Sequence, residues 1–139
     1  MKLFAVIDTN VLVSAMLSMK SDAATVRLLK EIQKGVVCPL LHEEIIKEYR
    51  DVLARPKFGL PQKTVQSIVS TIEHVGQHAD RVTSNEAFPD SKDVVFYEVA
   101  LSKEDAYLVT GNIKHFPRKP IVVTPAEMME IIDTANRKS

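Results

Sequence analysis

The chain has 139 residues, enough for one domain that buries about two-thirds of its unfolded surface without staples. Its 18 basic and 18 acidic residues cancel, so no global field draws it to nucleic acid or to an anionic membrane, and any such contact rests on local patches. A single cysteine, Cys38, excludes an intramolecular disulfide and fits a small buried hydrophobe in a reducing compartment.

Leu3 to Ile7 is an unbroken apolar run, as expected of a strand buried on both faces in a parallel sheet. It stops at Asp8. Asn10 is a suitable N-cap for the helix that Val11, Leu12, Ala15 and Met16 predict, so the unit reads as strand, short turn, helix. A carboxylate at the carboxyl end of such a strand stands where open α/β sheets bind ligands. Asp, Thr and Asn are also turn and cap formers, so Asp8 alone does not separate a site from a cap.

Ser21 or Asp22 offers a cap for a second helix through Leu28, Leu29 and Ile32, closed by Gly35. Val36, Val37 and Cys38 predict a second strand ended by Pro39. The strand, helix, strand order is that of a right-handed parallel crossover.

A helix is predicted from Leu41 to Ala54, its buried stripe carried by Leu41, Ile45, Tyr49, Val52 and Leu53. At about 100° per residue, Glu48 lies about 20° from Leu41, whereas Glu43 points away from the stripe. Glu48 is therefore the acid placed to reach inward. Arg55, Lys57 and Phe58 follow in a loop able to touch phosphates or a base.

Pro61 opens a helix with Val65, Ile68, Val69, Ile72 and Val75 on its apolar face. His74 and His78 have metal-ligand spacing but enclose Gly76 and lack an acidic partner, which favours surface histidines. Ala79 to Thr83 reads as a short strand. Asp90 then reads as an N-cap, with Asp93 on the seam of Phe96 and Ala100.

Ala106 to Thr110 is another apolar run, ending at Gly111 and Asn112 much as the first ends at Asp8 to Asn10. The basic loop Lys114, His115, Phe116, Pro117, Arg118 and Lys119 belongs on the same rim and is the better phosphate-contacting candidate. Ile121 to Val123 predicts the last strand. Thr124, Pro125 and Glu127 form a capping box for a final helix, and residues 136–139 a polar tail outside a single domain of residues 1–135.

Acids at a strand end, a helix edge and a helix start converge if the strands are parallel and adjacent. At about 5 Å and an effective dielectric near 20, each carboxylate pair repels by roughly 3 kcal/mol, so the cluster takes up protons or a cation. All-oxygen ligands favour Mg²⁺ or Mn²⁺, which points to metal-dependent phosphodiester hydrolysis.

DTNVLVSA, EYRDVLARPKF, DSKDVVFYEVA and AYLVTGNIKHFP, in that order, resemble a PIN domain, and within that family the toxins of toxin-antitoxin systems. The resemblance implies a three-layer α/β/α fold with a central parallel sheet of four to five strands. It also implies a Mg²⁺- or Mn²⁺-dependent ribonuclease. Asp8, Glu48 and Asp93 would be its acids, with Asp90 an accessory ligand or cap. Thr9, Asn10 and Thr110 would orient the carboxylates. Asn112 stands where many members carry a fourth acid, which implies weaker metal binding.

Arg55, Lys57, Lys114, His115, Arg118 and Lys119 are the candidate RNA contacts. A small antitoxin and a homodimer are the implied partners. A module that grips RNA or protein without cutting is the alternative reading. A haloacid dehalogenase-like phosphotransferase wants an acid where Asn10 stands, and a dinucleotide-binding fold wants a glycine-rich turn after the first strand. The first residues have no signal-peptide core, and no apolar run approaches the roughly 18 residues of a membrane span, so a cytoplasmic protein is expected.

Overall fold

A computed structural model describes residues 2–138, Lys138 by its backbone alone. Five strands, β1 (Leu3–Ile7), β2 (Val37–Leu41), β3 (Gln77–His78), β4 (Tyr107–Val109) and β5 (Val122–Val123), form one parallel sheet in the order β3-β2-β1-β4-β5. Six helices accompany them: α1 (Thr9–Leu17), α2 (Ala24–Gln33), α3 (Glu43–Leu53), α4 (Gln62–Val75), α5 (Val94–Ala100) and α6 (Pro125–Lys138). This is the expected three-layer α/β/α architecture.

The central strand explains the order of the rest. Ala5, Val6 and Ile7 are at most 1% exposed, which suits a strand covered on both faces. From β1 the chain winds outward through β2 to β3, then returns to lay β4 and β5 on the other side. The winding reverses between β1 and β4, and the crevice beyond their carboxyl ends is where such sheets place ligands. α5 packs over β1, β4 and β2, while α2 packs against α1, α4 and α6.

Several elements depart from the sequence-based expectation. α1 begins at Thr9, with Asp8 rather than Asn10 at the N-cap. Asp8 makes no side-chain cap bond, and Asn10 lies inside the first turn with its amide turned elsewhere. α2 starts after Ala23, later than Ser21 or Asp22. β2 continues through Pro39 to Leu41, so Leu41 is strand and α3 is capped by His42, whose Nδ1 accepts from the Glu44 amide.

Pro39 is tolerated because its carbonyl, and with it its donorless nitrogen, faces the edge before β3 begins. A Cβ on Gly76 would stand 2.8 Å from that carbonyl oxygen and 2.6 Å from Leu41 Cδ1, so only glycine passes there. The edge strand is Gln77–His78, and residues 79–83 are irregular. The expected polar tail is helical through Lys138, and Ser139 lies outside the described residues.

Other local readings agree with the structure. Gly35 takes φ 83° after α2. Thr124 and Glu127 exchange the two capping-box bonds, at 2.9 and 3.1 Å. His74 and His78 are exposed. Among the described residues no helix is long and apolar enough to cross a membrane.

Candidate functional site

Asp8 and Thr110 follow β1 and β4, neighbours in the sheet, so strand pairing alone brings them together. The Asp8 amide donates to Val109 O at 2.9 Å, and Thr110 Oγ1 donates to Asp8 Oδ2 at 2.8 Å. Thr110 is fully buried and Asp8 only 6% exposed. Thr110 Oγ1 also accepts from the Asn112 amide at 2.9 Å, and Asn10 Oδ1 from the Gly111 amide at 3.2 Å. The two strand-end turns that looked alike in sequence are thus bonded to each other. Tyr49, fully buried in α3, donates its hydroxyl to Ile7 O at 2.5 Å and ties that helix to the residue before Asp8.

Asp93 arrives by another route. Asp90 caps the 3-10 turn Ser91–Asp93, accepting from the Lys92 amide at 2.9 Å, and Asp93 itself is the N-cap residue of α5. Asp90 therefore serves here as a cap. The irregular segment ahead of it is held by side chains: Phe88 packs edge-on against Tyr97 and Phe116, and Arg81 bridges Glu98 of α5 and Glu44 of α3. Glu98 is buried, and the Ser84 amide supplies its second oxygen with a bond of 2.8 Å. Nothing in the sequence pattern singled out Arg81 or Glu98.

Electrostatics link the three acids. Burial raises the Asp8 carboxyl to a pKa of about 6, the Thr110 hydroxyl and Thr9 amide oppose that rise, and the charges of Asp93 and Glu48 add to it. Glu48 and Asp93 are also raised, each mainly by burial. Lys92 and Arg55 counteract the rise at Glu48, and His115 counteracts it at Asp93, where Asp90 works the other way. His115 Nδ1 stands 3.4 Å from Asp93 Oδ2, an ion-pair approach.

Among the described residues, two buried side-chain polar atoms lack a hydrogen-bond partner: Asp93 Oδ2 and Thr9 Oγ1. The first belongs to the acid trio, and the second to the residue that follows Asp8. Orphaned buried oxygens call for an explanation, and an ion or its water shell supplies one. The donors are all oxygen, which suits a hard divalent cation such as Mg²⁺ or Mn²⁺. No three acidic, histidine or cysteine side chains among the described residues already stand as a metal-holding group. Like charges with no cation between them gain nothing by closing to chelating distance.

The cationic candidates divide. Arg55 acts on Glu48 and His115 on Asp93. Lys119 reaches Glu86 at 3.7 Å, and Lys57 stands 5.1 Å above the Phe58 ring. Lys114 and Arg118 are exposed, as is Asn112. Lys92 was missed, although its place between Ser91 and Asp93 was a sequence-level signal.

A family model described as PIN domain matches residues 5–114, from β1 through the turn after β4. Comparison with characterised proteins and with solved structures gave no match.

Proposed function

The chain belongs to the PIN domain family, whose fold is in general that of a nuclease, and from that premise we propose that it is a Mg²⁺- or Mn²⁺-dependent ribonuclease serving as the toxin of a toxin-antitoxin pair. The observation that carries the reading is the coupled trio of Asp8, Glu48 and Asp93 with an orphaned Asp93 oxygen. These three side chains would hold the ion, with Asp90 as cap and accessory acid. A hard divalent ion bound there would lower the charge on the phosphodiester and ease deprotonation of an attacking water.

The chain's own groups do the positioning. Thr110 pins Oδ2 of Asp8. Thr9 and Asn10 lie in the first turn of α1 beside it, Asn10 holding the facing turn through Gly111. His115 offsets the charge of Asp93. The exposed cations of the rim, Arg55, Lys57, Lys114 and Arg118, would meet the strand. A small antitoxin placed in the acidic crevice and pairing of two copies belong to the same reading, as does a cytoplasmic setting.

A second reading, a module that binds RNA or a protein without cleaving, is favoured by Asn112 in place of an acid. Calorimetric titration with Mn²⁺ separates the two. The nuclease binds the ion and loses single-stranded RNA cleavage on Asp8→Asn, Glu48→Gln or Asp93→Asn. If Asp8→Asn cleaved as fast as the wild type in Mn²⁺, the proposal would be wrong.

A further inference from the structure

One face of α3, at helical spacing, carries Glu44, Lys47, Glu48 and Asp51, and Arg55 continues it just beyond the helix. Together with Lys92 from the turn before α5, these side chains line a cleft of about 340 Å³. Glu48 belongs both to this cleft and to the acid trio, and Lys92 of the lining precedes Asp93, so the cleft adjoins the site already described.

Its charges are not equivalent. Arg81 is committed to Glu44 and Glu98. Lys47, Arg55 and Lys92 are exposed, and none of the three is in an ion pair among the described residues. The acids that line the cleft with them are Glu48, Asp51 and Glu44, the last paired with Arg81. The lining includes no aromatic ring, and Val95 is its one apolar member. A wall of this kind has donors for phosphate oxygens and no platform for stacking a base.

We propose that this cleft is a backbone subsite for single-stranded RNA, in which Lys47, Arg55 and Lys92 hold the phosphates next to the one being cleaved. The inference rests on the nuclease reading and adds where the strand runs: along α3, past Glu48, toward Asp8. The subsite reads charge and not sequence, so base preference arises elsewhere on the rim.

The test uses fluorescence anisotropy of short labelled single-stranded RNA on an Asp8→Asn background in EDTA, which stops cleavage. The variant Lys47→Gln/Arg55→Gln/Lys92→Gln is compared with Lys20→Gln/Lys30→Gln/Lys63→Gln, which removes the same charge away from the cleft. Each phosphate contact contributes about 0.7 to the slope of log affinity against log salt. The cleft variant is expected to lose about 2 from that slope, equally on oligo-A and oligo-U, and the control to lose little. Equal losses in cleft and control variants, or a loss confined to one base, overturn the proposal. Should the native chain bind in the cleft yet fail to cleave RNA in Mn²⁺, the nuclease reading falls and the subsite stands.

Discussion

Replacing Asp8 by asparagine should make the metal-free protein more stable while removing the proposed nuclease activity. Asp8 is 6% exposed, and its carboxyl is raised from 3.8 to about 6, chiefly by burial. A shift of about 2 units at 1.36 kcal/mol per unit is a cost of about 3 kcal/mol for carrying the ionised form in the folded state. Because the folded carboxyl holds its proton more tightly than the unfolded one, that cost is absent below pH 3.8 and complete above about pH 6.

Asp93 and Glu48 are raised as well, each mainly by burial, and they titrate in both proteins. The quantity to measure is the difference between variant and wild type, which cancels the other titrating groups. Thermal unfolding in EDTA should show no advantage for Asp8→Asn near pH 3.5. At pH 8 the advantage should approach 3 kcal/mol, or about 10 °C for a chain of this size. Mn²⁺ at about 1,000 times its Kd should reverse the order, since it stabilises the wild type by about 4.1 kcal/mol. A variant no more stable than the wild type at pH 8 in EDTA would refute the claim that the crevice stores electrostatic strain for a cation to relieve.

Thr110→Val keeps the shape of a fully buried side chain but removes the donor to Asp8 and the acceptor for the Asn112 amide. Mn²⁺ affinity by calorimetry should fall about 10- to 100-fold, as for other losses of a ligand-orienting bond; affinity within twofold of the wild type would mean that the hydroxyl does not orient the carboxylate. Tyr49→Phe strips the hydroxyl from Ile7 O and should cost about 1–2 kcal/mol in urea unfolding. An unchanged midpoint would show that this buried bond contributes nothing net.

Much of this molecule was legible in the chain because its signals are local. The apolar run at Leu3–Ile7, Gly35 after α2, the Thr124–Glu127 box and the Asp90 cap each depend on residues within a few positions, and the structure repeats them. Helical geometry alone set Glu48 apart from Glu43, and the structure has Glu48 half-buried and Glu43 exposed. Four ordered motifs sufficed for the family.

Other features depended on partners far away in sequence. Asn10 and Asp8 are both plausible caps, and the choice fell to contacts about 100 residues distant: the Gly111 N–H donates to the Asn10 side-chain oxygen and the Thr110 hydroxyl to the Asp8 carboxylate. Pro39 should end a strand, yet it sits in β2 because the neighbouring edge strand starts just beyond it, past Gly76. Lys92 beside Glu48, Arg81 between Glu44 and Glu98, and the orphaned oxygen of Asp93 arise only when α3 and α5 pack against the same sheet. The residues able to carry charge were written in the sequence, but which of those charges are shared, satisfied or left exposed was decided by the packing.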